Sequence, residues 1–226
     1  ADRSGYLRLC DWLTRAYRTH QHRGRAEVDP AWLDEDTEGL IALAGARESD
    51  VGQALLQGNA AAARVAAEAW KRRFPGRCYL EVQRAGHADD DALVDATVAL
   101  AADVGLPVVA THPVQFLRPG DFRAHEARVC IAGGHVLADP RRPRTFTPEQ
   151  FFVSQQEMAT KFADLPGALA NSVAIAQRCN LSIPLGKPHL PAFPTPPGVS
   201  IEEHLEREAL AGLERRLAQL YPDAEA

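Results

Sequence analysis

Short apolar runs alternate with longer amphipathic stretches through the first half of the chain. Three runs predict buried strands, because each is short, apolar and bounded by glycine or charged residues. They are residues 40–43, 78–82 and 106–110. Helical spacing and capping residues predict helices at 50–57, 59–74 and 89–104. A strand–helix–strand order of this kind predicts right-handed crossovers and a parallel sheet or barrel, of which about three strands are visible.

The remaining segments are mostly helical in pattern. Ser4 is the predicted cap of a first helix, whose apolar side holds Leu9, Trp12, Leu13, Ala16 and Tyr17. Further helices are predicted at 121–132, from the capping box that begins at Thr147, and at 168–179. A proline-rich linker follows, and a second capping box at Ser200 predicts a last helix with a leucine stripe.

Composition narrows the possible functions. The chain has 226 residues and a net charge of -5, so it lacks the overall positive charge that would hold nucleic acid. No apolar run approaches the ~20 residues of a membrane span, and no signal peptide is visible, so a cytoplasmic location is expected. The four cysteines form no C-x-x-C pair, which predicts buried, reduced thiols.

Several segments resemble one family of proteins: VVATHPVQFL, DFRAHEARVCI, LADPRRPRTFTPEQF and FADLPGALANSVAIAQRCNLSIPLGKPHLPAFPTP. The family is the alpha (polymerizing) subunit of bacterial DNA polymerase III, in its PHP (polymerase and histidinol phosphatase) domain. The resemblance implies an α/β fold: a partial PHP-type (βα) barrel with parallel strands, then a helical C-terminal portion. It implies that residues 1–184 are the last two-thirds of the PHP domain, 185–199 a linker and 200–226 the first helix of the palm. The chain starts without methionine and is expected to be an excised piece.

The resemblance also implies that a metal site has been lost. Metal-competent relatives carry Asn-Asp-x-His after the third strand and often cysteine after the first. Here the family ligand positions are replaced by Ala46, Pro113 and Gln115, none of which is a good metal ligand. We therefore expect no metal and no other cofactor in this segment, and Mg only in the parent polymerase.

Other candidate residues have two interpretations. Arg47, Glu81, His112 and His125 form a possible remnant pocket that binds an anion, or a new metal site built on the last three. Alternatively, Arg47 fills the former metal position and pairs with a carboxylate such as Asp50, while His125 is a hydrogen-bonded core residue. The basic cluster of Arg141, Arg142 and Arg144 is either a phosphate or domain contact or a solvated loop.

Polymerase chemistry requires paired carboxylates, and the two acidic triplets are poor candidates. Residues 34–36 lie in a polar turn and residues 89–91 at a helix start. The expected role is a non-catalytic PHP scaffold and docking module of a polymerase that acts in DNA replication. Expected partners are the rest of the polymerase chain, the proofreading exonuclease subunit and, through the parent, primer-template DNA. The alternative is a metal-dependent phosphoesterase or pyrophosphatase of the PHP type.

Overall fold

The computed structural model describes residues 1–188 and 190–221, and the chain divides into two units, Ala1–Ser182 and Ile183–Ala226. The first unit is mixed α/β. Its helices are α1 (Arg3–Thr19), α2 (Asp50–Leu56), α3 (Ala60–Arg73), α4 (Asp90–Val104), α5 (Phe122–Gly133), α6 (Gln155–Lys161) and α7 (Pro166–Arg178). Its strands are β1 (Gln21–His22), β2 (Arg25–Ala26), β3 (Ala42–Ala44), β4 (Cys78–Gln83) and β5 (Val108–Thr111). Single 3-10 turns cover Pro30–Asp34 and Pro119–Asp121.

The three predicted strands form one parallel sheet in the order β3-β4-β5. Ala42 lies beside Cys78 in the first pair of strands, and Leu80 lies beside Val108 in the second. Each connection contains helix, as the pattern of the sequence predicted. Among the described residues the sheet is open, so the structure confirms a parallel α/β arrangement without showing a closed barrel. The separate pair β1-β2 is a short antiparallel hairpin.

Alternate side chains of the central strand anchor the core. Cys78, Leu80 and Val82 point to one face of β4, and each belongs to a different cluster of buried apolar residues. Cys78 packs with Trp12 of α1, Leu80 with residues of α2, α3 and α4, and Val82 with Phe162 after α6. The helices thus cover one face of the sheet and hold the strand ends in fixed positions.

Side chains of α7 cap the outer edge of β5. Asn171 Nδ2 donates to the Val108 carbonyl (2.8 Å), and Ser172 Oγ donates to the Ala110 carbonyl (2.5 Å). These are the alternate carbonyls that point away from β4, where a further strand would otherwise pair. The helix therefore supplies the donors that an edge strand lacks.

The predicted apolar side of α1 is only partly correct. Trp12 and Ala16 are buried, whereas Leu9, Leu13 and Tyr17 are 45%, 52% and 62% exposed. The cap also differs, because the Asp2 carboxylate accepts from Gly5 N–H and from the Ser4 hydroxyl. The first unit buries a narrower face of this helix than its sequence offers.

The helix predicted from Thr147 was wrong. The helix in this region, α6, begins after Ser154, whose capping box with Glu157 has the required geometry. Thr147 donates its hydroxyl to the Ala85 carbonyl, and its N–H donates to the Gln150 side chain (2.8 Å). The Thr147 hydroxyl, which could have capped a helix, therefore makes a tertiary contact instead, and the Thr147 N–H keeps only its local bond to Gln150.

The second unit contains one described helix, α8 (Ile201–Leu220). Its start at Ser200 is confirmed, since Ser200 and Glu203 form the predicted capping box. The leucines of its predicted stripe, 210, 213, 217 and 220, are all exposed within this unit. The last five residues of the predicted segment 200–226 lie outside the described part. No helix in the described ranges is long and apolar enough to cross a bilayer.

Candidate functional site

A cavity of about 380 Å³ lies at the carboxyl ends of the parallel strands. Its lining includes Gly45, Ala46 and Arg47 after β3, Glu81 and Gln83 on β4, and Pro113 and Gln115 after β5. Thr97 of α4 and Phe146 and Gln150 from the segment before α6 complete the wall. Ligand sites of parallel α/β sheets gather at this edge, which is where the sequence placed the chemistry.

The three positions expected from the sequence to replace metal ligands lie at this cavity. Ala46, Pro113 and Gln115 all line it, although they come from two different loops. They contribute a methyl group, a pyrrolidine ring and a carboxamide, none of which is a good metal ligand. Within residues 1–188 and 190–221, no group of three or more His, Cys, Asp or Glu side chains is placed to hold a metal ion. The described lining of this cavity therefore offers no set of converging metal ligands.

Gly45 brings the β3 loop close to β4. Its φ is +108°, a conformation that favours glycine, and a Cβ added there would lie 3.2 Å from the backbone N and O of Glu81. This close approach places Ala46 and Arg47 beside the end of β4. The shape of the cavity at this point therefore depends on glycine.

Arg47 is held by carboxylates at the start of α4. Its guanidinium donates to both oxygens of Asp89, one of them at 3.2 Å, and to Asp90 Oδ1 (3.3 Å). The hydrogen bond from Arg47 lowers the pKa of Asp89, and the same bond raises the pKa of Arg47. The predicted partner, Asp50, was wrong: it accepts from Trp70 Nε1 (3.0 Å) instead.

A small polar network joins Glu81 and Gln83 of β4 to Thr111 of β5. Gln83 Nε2 donates to Thr111 Oγ1 (3.0 Å) and to Glu81 Oε1 (3.3 Å). The Thr111 hydroxyl also donates to Glu81 Oε1. These bonds orient the Glu81 carboxylate at the cavity wall and leave its second oxygen, Oε2, for another donor.

The two candidate histidines lie outside the cavity lining. His112 Nε2 is 2.9 Å from the Glu149 carbonyl, and burial lowers its pKa. His125 is buried between Phe116 and Phe146; its Nδ1 accepts from Arg128 (3.1 Å), and burial lowers its pKa as well. The structure thus brings together Arg47 and Glu81, but neither histidine joins them.

The three arginines of the basic cluster differ in exposure and in their partners. Arg142 has a side chain only 7% exposed, pairs with Glu126 of α5 and donates to the Leu137 carbonyl (3.1 Å). Arg141 is 89% exposed and lies 3.3 Å from Asp139. Arg144 is exposed as well. Arg142 therefore anchors its own loop to α5 and is not free for phosphate.

Both acidic triplets are paired with arginines. Asp34 pairs with Arg73, Glu35 with Arg15, Asp36 with Arg8, Asp89 and Asp90 with Arg47, and Asp91 with Arg84. Two-metal catalysis requires carboxylates that converge on ions. These carboxylates instead tie separate segments of the first unit together.

Sequence reasoning missed the contribution of the segment before α6. Phe146 and Gln150 line the cavity because Gln150 bonds to the Pro113 carbonyl (3.3 Å) and Gln115 N–H bonds to the Gln150 carbonyl (2.8 Å). Thr97 lies in the helix predicted at 89–104, and its spacing there did not mark it as part of a site. No local pattern marks these residues, since they meet the strand ends only in three dimensions.

Comparison with known proteins agrees with the family resemblance. The PHP domain model matches residues 1–85. The chain is 53% identical over 97% of its length to the DNA polymerase III subunit alpha of Neisseria meningitidis serogroup A, of which it covers 20%. It is 45% identical to the corresponding subunits of Pseudomonas aeruginosa and Escherichia coli K12, over 96% and 100% of its length and 19% of each subunit. The chain thus spans about one fifth of these relatives, and its resemblance to the DNA polymerase III alpha subunits, including their PHP domain, is confirmed.

Proposed function

We propose that the chain is the PHP-domain segment of a DNA polymerase III alpha subunit, which acts in cytoplasmic DNA replication as a non-catalytic scaffold and docking module. The observation that carries this proposal is the convergence of Ala46, Pro113 and Gln115 on the cavity at the strand ends. A hydrolase of the PHP type would need metal ligands at this place.

Internal ion pairs support the scaffold role. Arg47 links the β3 loop to the start of α4, and Arg84 links the end of β4 to both Asp91 and Asp164. Arg84 also donates to the Lys161 carbonyl and lies over the Phe162 ring. These contacts fix the segments around the cavity.

The fold fits a larger PHP-type barrel. We propose that β3, β4 and β5 are part of a (βα) barrel whose remaining strands lie in other parts of the polymerase chain. The outer edge of β3 has no strand beside it among the described residues, and Leu43 on this strand is exposed. In the same proposal, α8 opens the palm region, where its leucines meet the rest of the polymerase.

Nucleotidyl transfer is assigned to residues beyond this chain. In this proposal the full-length subunit holds Mg and primer-template DNA through its other regions. The arginine pairing of both acidic triplets supports this division of labour.

Metal analysis of the full-length subunit tests the proposal. After purification in the presence of zinc or manganese and removal of loosely bound ions, we expect well below one equivalent of either metal per chain. We also expect no hydrolysis of a phosphomonoester or pyrophosphate with either metal present. Stoichiometric metal together with hydrolysis that Glu81→Leu abolishes would instead establish the alternative, a phosphoesterase or pyrophosphatase.

Docking requires its own test. We expect the full-length subunit to co-elute with the purified proofreading exonuclease subunit in size-exclusion chromatography. A subunit from which residues 1–182 have been replaced by an unrelated domain is the control, and it should elute alone. Equal binding by this control would show that the exonuclease docks elsewhere.

A further inference from the structure

The cavity at the strand ends contains polar groups that the protein itself does not satisfy. Thr97 is fully buried, and its Oγ1 has no hydrogen-bond partner among the described residues. Gln115 also lines the cavity, and among the described residues it bonds to Gln150 through its backbone, with no hydrogen bond from its side-chain amide. An unsatisfied buried hydroxyl costs free energy, so a ligand with matching groups would be favoured here.

The charges of the lining disfavour an anion. Glu48, Glu81 and Asp90 line the cavity with a single arginine, Arg47, and that arginine is already bonded to Asp89 and Asp90. Arg47 Nε has no hydrogen-bond partner among the described residues, but two carboxylates already balance the charge of this guanidinium. A phosphate group would therefore meet the carboxylate of Glu81 without a further arginine or lysine in the described lining. A neutral ligand that donates a hydrogen bond to Glu81 Oε2 would avoid this repulsion.

The walls suit a flat ring. Phe146 offers an aromatic side chain, and the volume of about 380 Å³ falls in the range of small-molecule sites. Bases stack on aromatic side chains, a carboxamide pairs with a base edge through two hydrogen bonds, and a carboxylate accepts from an exocyclic amino group. From this combination of Phe146, Gln115 and Glu81 we propose that the cavity binds an amino-bearing nucleobase, as the nucleoside without phosphate.

This inference goes beyond the scaffold role and is tested separately from it. Adenosine, cytidine, thymidine and AMP are titrated into the full-length subunit by isothermal titration calorimetry. We expect adenosine or cytidine to bind, and thymidine to bind roughly tenfold more weakly because it lacks an amino group for Glu81. AMP is expected to bind more weakly than adenosine, in contrast to a phosphoesterase site.

Variants locate the binding. Gln115→Leu and Phe146→Leu should each weaken nucleoside binding by about tenfold, because they remove the amide pairing and the aromatic wall. Gln156→Leu, the same change at an exposed site on α6, should bind as the unaltered subunit does. Circular dichroism checks that the variants are folded. If Gln115→Leu does not fold, Phe146→Leu still tests the proposal.

Three results would overturn the proposal. They are no nucleoside binding at millimolar concentration, tighter binding of AMP or inorganic phosphate than of adenosine, and undiminished binding in both cavity variants. The last result would place the nucleoside elsewhere in the subunit. Failure of exonuclease docking would leave all of these measurements unaffected.

Discussion

Arg47 donates hydrogen bonds to both carboxylate oxygens of Asp89 and so joins the loop after β3 to the start of α4. The two residues are 42 positions apart in the chain, and Asp90 adds a further contact to the same guanidinium at 3.3 Å. The second oxygen of Asp90 accepts from the backbone N–H groups of Ala85 (2.7 Å) and His87 (3.0 Å). A single arginine thereby fixes one wall of the cavity.

Replacing this arginine should destabilise the fold. Arg47→Met leaves the buried Asp90 without its positive partner, so we expect a loss of about 1–3 kcal/mol in the free energy of unfolding. Urea denaturation measures the loss. The control is Arg64→Met, which removes an exposed pair with Asp103 and should cost under ~1 kcal/mol. Equal losses in the two variants would show that Arg47 is an ordinary surface residue.

Acid should destabilise the protein in two steps. Burial lowers the pKa of His112 and His125, so stability is complete above the unfolded value of about 6.5 and falls as the pH drops through their folded values. Arginine bonds lower the pKa of Asp89 and Asp164, so a second loss begins below about pH 4, the unfolded value. Unfolding curves from pH 8 to pH 2 show both steps. Arg84→Met should reduce only the second.

The histidine step has a simple control. A variant with both His112→Gln and His125→Gln cannot be protonated at these sites, so its stability should stay level between pH 7 and pH 5. A fall as steep as that of the unaltered chain would assign the first step to other groups.

The cysteines should differ in reactivity, contrary to the prediction that all four are buried. Cys78 and Cys130 are buried, while Cys10 and Cys179 are exposed. Burial raises the pKa of Cys78 to about 11, which keeps its thiol protonated near neutral pH. A thiol reagent at pH 8 should therefore label Cys10 and Cys179 quickly and the buried pair only after unfolding. Fast labelling of Cys78 in the folded state would contradict its position beneath α1.

Two neighbouring residues of α1 should respond very differently to truncation. Trp12 packs against Cys78 and Phe74, so Trp12→Ala should cost about 3–5 kcal/mol of stability. Leu13→Ala removes a half-exposed side chain and should cost less than ~1 kcal/mol in this chain. Thermal or urea unfolding compares them. Equal costs would mean that Leu13 is also buried in solution.

Local pattern was sufficient for most of the helices and strands. The strands around 40–44, 78–83 and 106–111 and the helices that connect them follow from apolar spacing, glycine and capping residues within a few positions. Ser200 illustrates this well, because its hydrogen bonds are made with Glu203 and His204, three and four residues away. Family resemblance added the expectation that Ala46, Pro113 and Gln115 replace metal ligands.

Other choices depended on residues far apart in the chain. The sequence predicted a helix from the capping box at Thr147, whereas in the structure the Thr147 hydroxyl donates to the distant Ala85 carbonyl and the helix begins after Ser154. The sequence offered several carboxylates as partners for Arg47. The packing of α4 on the sheet selected Asp89 over Asp50. Sequence by itself determined periodicity and capping, because these interactions are local. Tertiary structure decided which carboxylates pair with Arg47, which side of α1 is buried and which residues line the cavity, because these depend on which distant surfaces meet.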